Sequence, residues 1–119
     1  MNVAILGASP NQDRYSNMAI HRLLEYGHQV FPINPIHKEI EGQKVYKHLV
    51  DIEEPIHTLT MYVNSFRSND LMDDILALLP KRIIFNPGAE NDVLSEKATE
   101  KGIEVLNACT LVMLSSRQF

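Results

Sequence analysis

Short apolar runs alternate along this chain with stretches whose apolar residues recur every three or four positions. Val3–Leu6, Arg82–Phe85 and Ile103–Leu106 are largely apolar and too short for helices, which suits strands buried on both faces of a sheet. His28–Ile33 and Thr58–Val63 bring the set to five strands, although Pro32 cannot donate to a ladder. Between the first two strands, Met18, Ala19, Ile20, Leu23, Leu24 and Tyr26 follow helical spacing, with Ser16 or Asn17 as N-cap and Gly27 as the stop. Ser68–Leu79 carries Leu71, Ile75, Leu78 and Leu79 along one side and halts at Pro80. "KVYKHLVDI" (44–52) reads as a short helix followed by a loop, Asp92–Lys101 as a helix ended by Gly102, and Cys109–Ser115 as a final short helix.

Strands separated by helices predict an α/β fold: one doubly wound, parallel, five-stranded sheet with helices on both faces and right-handed crossovers. The length of 119 residues fits a single domain, 1–119. A domain of this size hides roughly two-thirds of its unfolded surface, so it needs no staples. The net charge of −4 argues against a nucleic-acid partner. Cys109, the one cysteine, excludes an internal disulfide and a cysteine-based zinc cluster, and no His or carboxylate set has metal-ligand spacing. Gly7 and Pro10 interrupt the apolar start, and no apolar run nears the roughly 20 residues of a membrane helix. A soluble, cytoplasmic protein without a membrane partner is therefore expected.

In an open parallel sheet, ligands gather beyond the carboxyl ends of the strands. Here those ends are followed by Gly7-Ala8-Ser9-Pro10, by Asn34-Pro35 and Lys38, by Asn64-Ser65 and Arg67, by Asn86-Pro87-Gly88, and by Asn107-Ala108-Cys109. Gly7 permits a tight turn, Ser9 offers a hydroxyl, and a helix starting near Ser16 turns unpaired N–H groups toward the same place. Together with Arg14 this is an anion site built from backbone. A domain selective for NAD places Asp or Glu after its second strand to hold the ribose hydroxyls. Asn34, neutral, and Lys38 nearby tolerate a phosphorylated ribose instead, as in coenzyme A or NADP, unless Lys38 is a solvated surface lysine.

"VAILGASPNQDRYSNMAIHRLLEYGHQVFPINP", with "NPGAEND" and "NACTLVMLSS" later, resembles the small single-domain CoA-binding proteins, which are similar to the CoA-binding domain of the succinyl-CoA synthetase α subunit. The resemblance spans essentially the whole chain. It implies a Rossmann-like fold with coenzyme A, or an acyl-CoA, at the carboxyl edge. Carried over by position, Gly7, Ala8, Ser9 and Pro10 with Arg14, Tyr15 and Ser16 hold phosphates, while Asn34, Pro35 and Lys38 border the ribose phosphate and adenine. Val63, Asn64 and Ser65 line the floor, and Asn86, Pro87 and Gly88 form the far wall. Family members often carry glutamine where this chain has Asn86. The synthetase's phosphorylated histidine lies outside this domain, so no histidine here inherits its role.

No catalytic residue is assigned. His21, His28, His37, His48 and His57 are scattered, and Asp73-Asp74 and Glu53-Glu54 read as solvated charges away from the ligand edge. Cys109, at the start of the last helix, is either a thiol able to pair with the thiol of coenzyme A or a buried core residue. The expected function is a non-catalytic or accessory CoA-binding module. The alternatives are a small NAD(P)-binding oxidoreductase-like protein and a degenerate nucleotide-binding fold used for protein interaction. "CTLVMLSSRQF" either finishes the core or meets a protein partner, including a second copy.

Overall fold

The computed structural model describes residues 1–119. In chain order the elements are β1 (Asn2–Leu6), α1 (Tyr15–Glu25), β2 (Gln29–Ile33), β3 (Glu39–Ile40), β4 (Gln43–Lys44), β5 (Thr58–Met61), α2 (Ser65–Asp70), α3 (Met72–Leu78), β6 (Arg82–Phe85), α4 (Asp92–Glu100), β7 (Glu104–Asn107) and α5 (Thr110–Ser115). Five strands form one parallel sheet in the order β2-β1-β5-β6-β7, while β3 and β4 make a small hairpin. The winding direction reverses between β1 and β5, which makes that gap the switch point of the sheet.

Alternation along the strands divides the core in two. Val3 and Ile5 of β1 pack with Ile20 and Leu23 of α1 and Leu114 of α5 on one face. Ala4 and Leu6 turn to the other face, where Leu59, Met61, Ile83 and Phe85 meet Ile75 of α3 and Leu94 and Ala98 of α4. Each fully buried Leu or Ile contributes roughly 1.5–3 kcal/mol, so both layers of helices are held by burial. Pro32 fits because β2 is an edge strand: it stands opposite Ile5 with its nitrogen directed away from β1, and its carbonyl accepts Tyr46 N–H at 2.9 Å.

Several local expectations change. The stretch 44–52 is not a helix. Tyr46 runs beside the end of β2, donating to Pro32 O and accepting Asn34 N–H at 3.0 Å, and only Leu49–Asp51 makes a single 3₁₀ turn. The open edge of β2 claims this segment, whose Val45 and Tyr46 suit extended backbone better than helix. Helix α1 begins at Tyr15 with Arg14 at its N-cap, so neither Ser16 nor Asn17 caps it. Both are buried in the first turn, and Asn17 Nδ2 donates to Ser9 O (2.9 Å) and Glu41 Oε1 (3.0 Å). Positive φ at Glu41 and Gly42, 51° and 74°, tightens the hairpin that brings Glu41 there.

The expected helix 68–79 starts earlier and breaks in two. Asn64 caps α2 by accepting Arg67 N–H at 3.0 Å, and the chain kinks at Leu71 before α3. Asn91 caps α4 while donating to Ser68 Oγ and Asn69 Oδ1, which pins the end of α2. Strand β5 stops at Met61 rather than Val63, and β7 runs one residue later than its expected span.

Asn86 is 3% exposed and ties three elements together. Its amide nitrogen donates to Thr60 Oγ1 (2.7 Å) and Met61 O (2.9 Å), and its oxygen accepts Thr110 N–H at the start of α5 (2.8 Å). Asn86→Ala strands these buried partners, each at a cost of about 1–3 kcal/mol. Urea unfolding is expected to register a loss of at least about 2 kcal/mol, and a loss below the measurement error would contradict the bracing role.

The opposite edge of the sheet gathers positive charge. The amino terminus lies 3.2 Å from His28 Nδ1, Arg82 Nε donates to Thr58 Oγ1 (3.0 Å), and His57 Nδ1 meets the same hydroxyl at 2.8 Å. Burial, followed by the amino terminus and Arg82, lowers the pKa of His28; burial, then Arg82 and Lys81, lowers that of His57, against a small opposing pull from Glu104. Both histidines therefore take up protons in the unfolded chain before the folded one. Their contribution to stability is complete above about pH 6.5 and drains away as the pH falls through the lowered folded values. The melting temperature is expected to drop from pH 7.5 to 5.5, and a His28→Gln/His57→Gln variant to flatten that slope; an unchanged slope would contradict the assignment.

Candidate functional site

A cleft crosses the carboxyl edge of the sheet above the switch point. It has two lobes, of about 530 and 540 Å³, that share Gly7, Tyr62, Val63 and Asn64 as a saddle. Both volumes lie within the range of small-molecule sites. The saddle is low because β1 ends in glycine. Gly7 has φ +90°, and a Cβ there would sit 3.0 Å from Val63 Cγ1 and 3.1 Å from the Tyr62 carbonyl. Conformation and space thus both demand glycine at this turn.

The first lobe is bounded by Leu6, Ala8, Ile33, Asn34 and Pro35 on the β1–β2 side, by Lys47, His48 and Leu49, and by Arg67, Leu71 and Asp74 from α2 and α3. The second lies between the start of α1 (Arg14, Tyr15, Ser16, with Ser9) and the loop Pro87-Gly88-Ala89 after β6. Gly7, Ser9, Tyr15 and Ser16 carry backbone N–H groups with no acceptor within the protein. Ser9 Oγ accepts Asn11 N–H at 3.1 Å and Asn11 Oδ1 accepts Asp13 N–H at 2.9 Å, so the loop is held open by its own side chains. The lining carries Arg14, Lys47 and Arg67 against one carboxylate, Asp74, and none of the four lies within salt-bridge distance of an opposite charge. The lining is therefore net cationic in a chain of net charge −4. Tyr62 is neutral at physiological pH, because burial pushes its phenol up to about 12, and its hydroxyl lies near Thr60 and Thr110 outside good hydrogen-bond geometry.

Gly7, Ala8, Ser9, Arg14, Tyr15, Ser16, Asn34, Pro35, Val63, Asn64, Pro87 and Gly88 are brought together on this cleft. Pro10, Lys38, Ser65, Asn86 and Cys109 are not on its lining. Lys38 is exposed, its carbonyl accepting Val45 N–H at 3.0 Å, and Cys109 is half-buried at the N-cap of the six-residue α5. Asn34 lines the cleft, but its side chain is occupied: Nδ2 donates to Ala8 O (2.9 Å), and Oδ1 accepts Ile36 and His37 N–H (2.8 and 2.9 Å). Arg67, expected at the ligand edge after the third strand, lines the first lobe; Lys47, His48, Tyr62, Leu71 and Asp74 were not among the expected site residues. Tyr62 neighbours the expected Val63–Ser65. Lys47 and His48 had no local signal, since only the pairing of Tyr46 with β2 brings them here. Asp74, read as a solvated charge, stands in the first turn of α3 and lines the first lobe.

A family model described as the CoA binding domain matches residues 1–115. The chain is 34% identical over 62 residues to the acetate–CoA ligase [ADP-forming] of Methanocaldococcus jannaschii, an alignment covering 52% of this chain and 9% of that protein. It therefore spans about a tenth of that relative's length. Among solved structures, an uncharacterized protein superposes with TM-score 0.86 at 39% identity, covering 99% of this chain and 97% of the other. The dinucleotide forming acetyl-coenzyme A synthetase 1 of Ca. Korarchaeum cryptofilum, in complex with phosphate and ADP, superposes with TM-score 0.75 at 26% identity over 90% of this chain and 25% of the synthetase. Both superpositions agree with the Rossmann-like α/β architecture described above. By the span of the family match, this chain belongs to the CoA binding domain family.

Proposed function

We propose that the cleft binds coenzyme A or an acyl-CoA, and that the domain acts as a non-catalytic or accessory module that holds this ligand for another protein. The observation that carries the reading is the set of acceptor-free amides at Gly7, Ser9, Tyr15 and Ser16 on the wall of a net cationic cleft. A pyrophosphate needs backbone donors and positive potential, and the N-terminus of the eleven-residue α1 supplies both. The second strand ends in the neutral Asn34, so the strand tip itself does not repel a phosphorylated ribose, and Asp74 is the one carboxylate on that lobe. The two lobes on either side of the saddle suit a long ligand bent at its pyrophosphate. Family membership, and the names of the ligase and synthetase relatives, point to the same ligand class. The accessory role rests on the lining itself, in which no serine hydroxyl is hydrogen-bonded to a histidine or carboxylate that could activate it.

Calorimetry with coenzyme A, acetyl-CoA, NAD, NADP and ATP tests the ligand. The two CoA compounds are expected to bind most tightly, and a hundredfold excess over the dissociation constant to stabilise the fold by about 2.7 kcal/mol. Acetyl-CoA is expected to remain intact during prolonged incubation with the protein. Gly7→Ala, which fills the saddle, is expected to weaken binding by about tenfold or more. Preference for NADP, or no heat with any nucleotide, would overturn the ligand; turnover of acetyl-CoA would overturn the accessory role.

A further inference from the structure

We infer that Lys47 and Arg67, rather than Lys38, read the ribose phosphomonoester of the ligand and so distinguish coenzyme A from its dephosphorylated form. The inference rests on the CoA reading of the cleft and assigns specificity within it. In open α/β sheets the ribose lies beyond the end of the second strand. Here that place is the lobe lined by Ile33, Asn34 and Pro35. Asn34 is poorly placed to discriminate, because its side chain is spent on Ala8, Ile36 and His37. Lys38 leaves the lobe through the turn into the β3–β4 hairpin.

Two cations from distant parts of the chain converge there instead. Lys47 follows Tyr46, whose paired backbone bonds to Pro32 and Asn34 carry the chain past the tip of β2. Arg67 stands in the first turn of α2, its backbone fixed by the Asn64 cap, and lines the same lobe. Neither has a carboxylate within ion-pair distance. Asp74 shares the lobe and carries the opposing charge, so it weakens binding of any dianion placed between the two cations. His48 adds a titratable neighbour on the Lys47 side. A phosphomonoester near neutral pH carries between one and two negative charges and several acceptor oxygens, which suits a lobe lined by both a lysine and an arginine.

Affinities for coenzyme A, 3′-dephospho-CoA, NADP and NAD, measured on the whole chain and on Lys47→Gln, Arg67→Gln, their double variant, Lys38→Gln and Asp74→Asn, test this. The unaltered protein is expected to prefer coenzyme A over dephospho-CoA by about tenfold or more, as charge-assisted contacts imply. The double variant is expected to lose that preference, its affinity for coenzyme A falling about tenfold or more beyond any fall in its affinity for dephospho-CoA, while circular dichroism reports that it is folded. Lys38→Gln is expected to keep the preference, and Asp74→Asn to increase it. If coenzyme A binds but the preference survives the double variant, or falls with Lys38→Gln, the assignment to Lys47 and Arg67 is wrong and the CoA reading stands. If coenzyme A does not bind, both are wrong. A preference for NADP over NAD that exceeds the preference for coenzyme A over dephospho-CoA would retain the phosphomonoester contacts and reject coenzyme A as their source.

Discussion

The close approach at the end of β1 governs the rest of the site. Gly7 passes so near Tyr62 and Val63 that even a methyl group would press on backbone. That contact lowers the floor between the two lobes and turns the chain into the loop that leads to α1. The helix then meets the cleft with its amino end, where its first N–H groups have no partner of their own. Everything proposed for the ligand depends on that helix facing a hollow rather than a side chain.

The carboxyl edge is rich in asparagine, and the structure gives these residues a role that their position does not announce. Asn34, Asn86 and Asn91 spend both ends of their amides on partners within the protein, while Asn17 uses only its nitrogen and Asn64 only its oxygen. They brace five irregular segments that would otherwise carry unpaired polar groups under the ligand. The donors left for a ligand are main-chain amides, a few long cations, the Ser9 and Ser16 hydroxyls and the Asn64 amide nitrogen.

Much of this architecture was legible in the residues. The runs at 3–6 and 82–85 identified strands buried on both faces, whereas 103–106 marked a strand, β7, that lies at the sheet edge and holds no fully buried residue. Glycine after the first strand and the apolar periodicity of 18–26 located the β1 turn and α1, which border the second lobe of the cleft. Legibility failed where long-range contact outweighed local preference. Residues 44–52 have helix-compatible spacing, yet the bare edge of β2 draws Tyr46 into extended pairing, and Lys47 and His48 reach the cleft only as a consequence. The kink at Leu71 likewise has no local breaker residue, and Asp74, in the first turn of α3, lines the first lobe. Asn86 was legible as a residue at a strand end, but whether its amide faces inward or outward depends on Thr60 and Thr110, which lie 26 and 24 positions away.

The central claim is that bare main-chain amides at the β1 turn and the head of α1 receive a pyrophosphate. Amide proton–nitrogen NMR during titration with coenzyme A addresses it most directly. The account predicts that the resonances of Gly7, Ser9, Tyr15 and Ser16 move furthest downfield and saturate together, with hydrogen exchange slowing at the same four positions. Saturable binding that leaves these four amides unmoved, with the large shifts elsewhere on the fold, would contradict it.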